Sequence, residues 1–388
     1  MSTGAPPLQG LRVIDFTRIL AGPMCSMILS DLGAETIKIE RAGVGDDTRS
    51  WGPPYRGDES TYYLSVNRGK KSVELDLRDP AGLAAAKRLI ASADIVIENF
   101  RDGVMARLGL DYDSLREEHP RLIYCSIPAY ATEGAGKLGY DLLMQAATGL
   151  MSVTGINTPT KVGVAILDVV TGLYAALGVV SAVHARGEDG LGQRVVVGLF
   201  DASVAALVNH SAAFLLADVV PELAGNAHPS IVPYQMFDAA DAAFVLAGGN
   251  DKLFQQVAAV VERDDLLDDE RFATNAGRVA HREELVAILQ NHFGRRPAAE
   301  WVARLERAGV PASQVRTLQE VFASPEGTST LVDVPDALGG VLRYVRNPMR
   351  FSRTPITEPS PPPPRLGQHT DDVLSELART HKPEQEAS

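Results

Sequence analysis

The sequence predicts an α/β protein in which a doubly wound parallel sheet forms a large domain beside a smaller α+β domain. Three observations point there. Short apolar runs of strand length alternate with helix-length stretches from Leu11 to Ser126, the pattern left by successive βαβ units. The composition shifts between Asp218 and His228, where a new region opens at Pro233-Tyr234. At 388 residues with 45% hydrophobic content, the chain can bury two moderate cores. The expected large domain covers 1–217 and 330–388, and the small domain covers 225–325, with linkers at 218–224 and 326–329.

Leu11–Phe16 reads as a buried strand, and Pro23–Leu32 as a helix with proline near its first turn and Gly33 past its end. Glu35–Glu40 returns as the second strand. The alternation continues through strand Ser72–Leu77, helix Pro80–Ala93 behind Asp79, strand Ile95–Glu98, helix Tyr112–Glu118 and strand Leu122–Ser126. Beyond these, an apolar run of strand length between Pro159 and Leu167 brings Asp168 to the start of a helix that runs to about Arg186. Asp is a favoured N-cap, so a capping role is one reading of that carboxylate. A helix is expected over Asp201–Leu216, a strand pair over Met236–Asp238 and Ala243–Ala247, and helices over Lys252–Val261, Arg278–Phe293 and Pro297–Arg307. Val341–Phe351 reads as strand, Pro359–Arg365 as an extended spacer and Asp371–Ala378 as a short helix.

Charge and motifs exclude several functions. A formal charge of −12 and a pI near 5.2 argue against a nucleic-acid partner or an anionic membrane surface. Cys25 and Cys125 fit no disulfide framework and no metal-ligand spacing, so no metal is expected and a reducing cytoplasm is the default. The first ten residues lack a basic head, and no segment is read as the roughly 18 apolar residues that span a bilayer. Glu40 ends the second strand where a ribose-binding acid would sit, but the first turn offers Gly22-Pro23 in place of G-x-G-x-x-G. Neither a P-loop nor a G-x-S-x-G elbow occurs. What remains is a set of cations, Arg41, Arg68, Lys70, Lys71, Arg78, Arg101 and Arg107, at strand ends, in loops or in a first helical turn. Several converging on one sheet edge could hold a phosphorylated ligand, to which bidentate arginine is suited.

These residues resemble the class III CoA-transferases, a family that includes formyl-CoA and carnitine CoA-transferases and, as a divergent branch, α-methylacyl-CoA racemase. The resemblance rests on Leu11–Phe16 with Leu20-Ala21-Gly22-Pro23, Asp31-Leu32-Gly33-Ala34, Ile37–Glu40, Asn67–Ser72, Ile97-Glu98-Asn99-Phe100-Arg101 and Gly139-Tyr140-Asp141. It continues through Asp168, Gly190–Val195, Gly225-Asn226-Ala227-His228-Pro229 and Leu366–Thr370. It implies that Asp168 matches the family's catalytic aspartate, acylated by a CoA thioester and then converted to an enzyme–CoA thioester. With a reference pKa near 3.9, Asp168 is expected to be ionised at neutral pH. The resemblance implies that CoA lies against Leu20 and Ala21, with Arg41, Leu75 to Arg78, Asn99, Phe100, Arg107 and Tyr140 beside its nucleotide and pantetheine parts. Lys137 falls near the family's cationic position, offset by one. Gly225, Asn226 and His228 would form the substrate loop. The implied enzyme holds no tightly bound cofactor, takes CoA, acyl-CoA and a carboxylic acid as substrates, and forms an obligate interlocked homodimer with both chain ends on the large domain.

The chain also departs from that pattern. Leu20 stands where the formyl enzyme has Gln, and residues 127–137 replace the usual S-G-x-G-x-x-G-P loop. Tyr140 takes the place of the racemase His, which leaves one half of that acid–base pair and favours the transferase. A racemase or epimerase, and a CoA-ester-binding protein without turnover, stand as alternatives. Arg18, Arg41 and Arg49 are cations that could meet the second carboxylate of a dicarboxylic acid such as succinate.

Overall fold

Six parallel strands form the central sheet in the computed structural model, which describes residues 4–131, 136–336, 340–356, 358 and 360–380. Their order across the sheet is Lys70–Leu75, Glu35–Arg41, Arg12–Asp15, Ile95–Glu98, Ile123–Ser126 and Arg194–Val196. The first strand in the chain is thus central, with Glu35–Arg41 on one side and Ile95–Glu98 on the other, in register Ile14 to Ile37 and Ile14 to Val96. The strand order reverses there, and in open parallel sheets ligands bind beyond the carboxyl ends of the strands at that switch point. The loops that follow Asp15 and Glu98 meet at this place.

Successive side chains of a strand point to opposite faces, and both faces are covered. Ile14, Val96 and Tyr124 turn toward helix Pro80–Ala91 and the C-terminal helix Thr370–Thr380, which contributes Val373 and Leu377. Val13, Ile95, Ile97 and Cys125 turn toward helices Ala21–Asp31 and Ile166–Asp189, which contribute Cys25, Leu29, Ala175 and Val179. The doubly wound parallel sheet is therefore present as expected.

Two compact units divide the chain. The first comprises residues 1–150, 162–218 and 330–388, and the second 151–161 and 219–329. Met151–Lys161, which the sequence reading placed in the large domain, groups with the second unit. Both the segment from Gly4, whose amide donates to the Arg353 carbonyl, and the C-terminal helix belong to the first. The second unit is built on an antiparallel sheet ordered Ala312–Gln314, Ala243–Ala247, Tyr234–Asp238. Phe237, Phe244, Phe293 and Trp301 pack edge to face at its core.

Several expectations need correction. No strand precedes Asp168 between Pro159 and Ala165; helix Ile166–Asp189 already contains Ile166 and Leu167, its apolar character reflecting burial and not extended backbone. That helix is long and apolar enough to cross a bilayer by length and composition, contrary to the reading that no segment was. Its buried Ala175, Ala176, Val179 and Ala182 pack on the sheet as a core helix does. The single helix expected over Asp201–Leu216 is two, Leu199–Ala205 and Val208–Ala217, bent by 76°. Val208 at φ +38° lies outside the right-handed helical region, and there the axis turns. Pro361 and Pro364 do more than space, since their carbonyls accept from the Gly69 amide and from Arg49 and Tyr63. Four residues of the unusual 127–137 loop, 132–135, lie outside the described residues, as do Pro359 and the tail from 381.

Candidate active site

The loop after the central strand is held by buried charge. Asp15 accepts from the Thr17 amide and hydroxyl, the Ser26 hydroxyl and the Lys70 ammonium. Lys38 donates to the Thr17 carbonyl at 2.7 Å and pairs with Asp46 at 2.9 Å, both side chains fully buried. The Asp46 carboxylate accepts from the Ile19 amide, and the Asn99 side chain accepts from the Arg18 amide while donating to its carbonyl. Burial would push Asp46 up, but Lys38 and the bonds from Thr48 outweigh it and hold it at about 2. So clamped, Ile19 sits at φ +74°, a conformation that costs a β-branched residue free energy and persists only where its surroundings impose it. Gly22 is required at the turn into the helix, because a β-carbon there would lie 2.3 Å from that of Thr17.

Asp168 lies in the first turn of helix Ile166–Asp189, which packs against this loop through Ala165 and Val169 on Ile19 and Leu20. It is not the N-cap; Ala165 holds that position without a side-chain bond, so the capping reading does not account for the carboxylate. The residue is 9% exposed, and among the described residues its side chain makes no hydrogen bond or ion pair. Leu20, Met24, Met27, Tyr62, Val66 and Val169 form an apolar cluster around this end of the helix. Burial, with the charge of Asp141 adding to it, raises Asp168 to about 7. The expectation of full ionisation at neutral pH therefore fails: removal from water outweighs the favourable helix N-terminus. Burial, then Asp168, raises the Tyr62 phenol to about 12.

Two cavities extend from the switch point. One, of about 380 Å³, is lined by Thr17, Arg18, Arg41, Leu75, Arg78, Phe100 and Arg107. The other, of about 300 Å³, is lined by Arg18, Ala21, Asn99, Phe100, Arg101, Lys137 and Tyr140. Arg18 and Phe100 belong to both, the guanidinium lying 5.3 Å over the ring, so the cavities adjoin. Lys137 stands 5.0 Å over the Tyr130 ring, and Leu20, N-cap of the helix from Ala21, closes on the Asp168 side.

Of the residues singled out in the sequence, Arg41, Leu75, Arg78, Asn99, Phe100, Arg107, Lys137, Tyr140 and Ala21 thus meet at one sheet edge. Gly225, Asn226 and His228 lie in the second unit, where the Gly225 amide donates to Gly155 and the His228 ring meets Tyr234 edge-on at 5.3 Å. Other cations are spoken for. Arg68 pairs with Asp31, Lys70 with Asp15 and Lys71 with Glu35. Arg49, a candidate for a second carboxylate, is locked by Glu40, Glu59 and the Tyr63 hydroxyl. Sequence reasoning assigned no role to Tyr62, Asp46, Asp141 or Gln145. Asp141 stood inside the Gly139-Tyr140-Asp141 marker, and the four-residue spacing to Gln145 was the available signal.

Asp168 itself lines neither cavity; the link to the smaller one runs through Ala21 on its wall and Leu20, which packs against Val169 beside the carboxylate. A buried acid at a helix terminus, one layer of side chains behind a cation-lined crevice at the switch point of a parallel sheet, fits an enzyme that handles an activated carboxylic acid. The chain belongs to CoA-transferase family III, whose sequence model matches residues 8–370. It is 38% identical to human succinyl-CoA:glutarate CoA-transferase over 379 residues, covering 96% of this chain and 86% of that one. With succinate–glutarate CoA-transferase of Agrobacterium fabrum the identity is 39%, covering 97% of each. A crystal structure of a CAIB/BAIF family protein from Brucella suis superposes with TM-score 0.85 at 39% identity, over 96% of this chain and all of that one. The chain is therefore a family III CoA-transferase.

Proposed function

We propose that this enzyme moves CoA from an acyl-CoA to a free carboxylic acid through covalent intermediates on Asp168. The observation that carries this reading is a carboxylate largely withdrawn from water yet without a hydrogen-bond or ion-pair partner among the described residues. Carboxylates are weak nucleophiles in water because hydration stabilises the anion; desolvation and the raised proton affinity restore reactivity to the ionised fraction. Asp168 attacks the donor thioester carbonyl, and the C–S bond breaks to give an aspartyl–acyl anhydride and CoA thiolate. The thiolate then attacks the aspartyl carbonyl, releasing the donor acid as carboxylate and leaving an aspartyl–CoA thioester. An acceptor carboxylate attacks that thioester, forming a new anhydride and freeing thiolate once more. Attack of the thiolate on the acceptor carbonyl yields the new acyl-CoA and restores Asp168. No net proton is consumed.

Arg41, Arg78 and Arg107 would meet the phosphates of CoA in the larger cavity, and the smaller one would pass the pantetheine arm along Asn99, Phe100, Lys137 and Tyr140 toward Ala21 and Leu20. Both relatives named above exchange CoA between succinate and glutarate, so short dicarboxylic acids are the acids we propose, with Arg18 as the cation for the second carboxylate; unlike Arg49 it is part-exposed and, among the described residues, paired only with Asp47, at 3.1 Å. Two copies would interlock through apolar surface that the chain leaves open, including Leu173 and Leu177 on the Asp168 helix and Leu215 and Leu216 at 74% and 86% exposure. Analytical ultracentrifugation tests that assembly. The chemistry is tested by incubating the enzyme with succinyl-CoA and hydroxylamine and mapping adducts by mass spectrometry. A hydroxamate at Asp168 supports the reading; turnover with no adduct there, or exchange retained by Asp168→Asn, overturns it.

A further inference from the structure

A second carboxylate stands next to Asp168, and its bonds reach the chain on both sides of the helix start. Asp141 opens helix Asp141–Ala147 and accepts the Leu167 amide at 2.9 Å through Oδ1. Its Oδ2 accepts from Gln145 Nε2 at 2.5 Å, and Gln145 Oε1 accepts the Val162 amide at 2.8 Å. Gln145 is wholly buried. One helix turn therefore grips the chain at 162 and again at 167, and the residue that follows the second grip is Asp168. The four N-terminal amides of a helix lack partners within it; here one of them is used to fix the azimuth of the first turn.

We propose that Asp141, braced by Gln145, is a positioning residue that aims the Asp168 carboxylate and sets the charge it feels. This rests on Asp168 being the nucleophile. The bond from Leu167 alone does not require a carboxylate, because an amide oxygen would accept it; the bond from Gln145 Nε2 needs a second acceptor, for which an uncharged group would serve, so the negative charge is not explained by either bond. A second anion close to a desolvated one is unfavourable by mutual repulsion. Its presence makes sense if the repulsion serves the chemistry: an anion held beside another is more basic, and nucleophilicity rises with basicity. The groups that bear on Asp168 agree with this. Among the described residues, Asp141 is the one charge that adds to burial in raising it, and Tyr62 stays neutral. Helix Ala21–Asp31 and its N-cap offer Leu20, Met24 and Met27 on this side. Asp201, on the helix Leu199–Ala205 that packs nearby, is occupied by the Ala131 amide. Among the described residues, no cation forms an ion pair with either carboxylate.

The test is the pH dependence of kcat for CoA exchange between succinyl-CoA and glutarate, with melting temperature as a control on folding. In the wild type, the acid limb should fall near pH 7. Asp141→Asn should move that limb down by roughly one pH unit or more. It should also lower the plateau by at least about 10-fold, through a less basic and less well-aimed nucleophile, with KM for the CoA ester nearly unchanged. Gln145→Ala removes the brace without changing charge, and should lower the plateau of kcat while leaving the acid limb in place. A purely structural role would lower the amount of folded enzyme without moving the limb of Asp141→Asn or the plateau of kcat in either variant. If both folded variants keep the wild-type profile while Asp168→Asn is inactive, this inference is overturned and the nucleophile stands. If Asp168→Asn remains active, the nucleophile assignment itself has failed.

Discussion

Gly172 lies so close to Ala21 that a β-carbon on it would stand 2.7 Å from the Ala21 carbonyl oxygen and 2.9 Å from Met24 Cβ. The helix that bears Asp168 and the helix that follows the clamped loop thus meet at backbone distance, one turn past the carboxylate. This contact brings Asp168 up to the strained Ile19-Leu20 turn. Gly172→Ala should push the helices apart by tenths of an ångström or more. Because misplacing a reacting group by about 1 Å can cost on the order of 100-fold in rate, kcat should fall at least 10-fold. The fold should survive with a loss of about 1–3 kcal/mol from overpacking. Steady-state kinetics and urea denaturation check the two parts; an unchanged kcat would show that the close approach does not aim the site.

Replacing Asp168 separates stability from activity. Its folded value near 7 exceeds the ordinary 3.8, so between those values the native state holds a proton that the unfolded chain gives up. Stability then falls as pH rises through this window, and the native state above pH 7 carries the full cost of a desolvated anion. Three pH units at about 1.4 kcal/mol each put that cost at up to roughly 4 kcal/mol. Asp168→Asn should abolish CoA exchange yet unfold at a higher temperature than wild type at pH 8, the difference shrinking toward pH 4. Calorimetry across that range measures it. Equal melting temperatures at pH 8 would mean that the carboxylate is not strained by burial.

Much of this was legible in the sequence because periodicity and punctuation report local structure faithfully. Asp79 and Pro80 announced a helix, and the observed N-cap is Asp79 with proline in the first turn. Ile95–Glu98 fell on its strand without adjustment. The run before Asp168 was misread because an apolar stretch of that length suits a buried helical turn as well as a strand. The three residues of Arg194–Val196 carry too weak a pattern to be seen as the sixth strand. At the site, the residue types were readable but their pairing was not. Arg49 and Arg107 look alike in sequence; only the fold shows one locked between Glu40 and Glu59 and the other open on a cavity. Nor could the sequence reveal that Asp141 faces Asp168, since the two are joined through space.

The charge cluster under the loop should be intolerant of small changes. Asp15 receives only donors, from Thr17, Ser26 and Lys70. Asp15→Asn would turn an amide donor toward one of them and leave Lys70 without its counter-ion. Burial already pulls Lys70 down to about 8, with Asp15 opposing that fall. Removing one member of a buried ion pair costs about 3–5 kcal/mol, a large part of a typical total stability. Urea unfolding of Asp15→Asn should show a loss in this range with an unchanged m-value; a loss under 1 kcal/mol would mean the cluster is solvated.

Arg107 offers the cleanest probe of where the nucleotide end of CoA rests. It stands in the short helix Val104–Leu108 and lines the larger cavity with Arg41 and Arg78. Arg78 is already held by Asp76, and Arg41 lies 3.8 Å from Asp47, whereas Arg107 forms no ion pair among the described residues. A free guanidinium meeting a phosphate gains a charge-assisted bond of about 1.5–3 kcal/mol. Arg107→Ala should therefore raise KM for the acyl-CoA by about 10-fold or more and leave kcat within a factor of about 2, since the interaction is the same in ground and transition states. Arg107→Lys should recover only part of the affinity, because an ammonium cannot reproduce the bidentate geometry. The loss should also narrow as salt is raised, since exposed charge interactions are screened over about 10 Å at 0.1 M. If instead kcat falls with KM unchanged, the cavity is not the nucleotide site, and Arg107 acts on the reaction through the shared wall at Phe100.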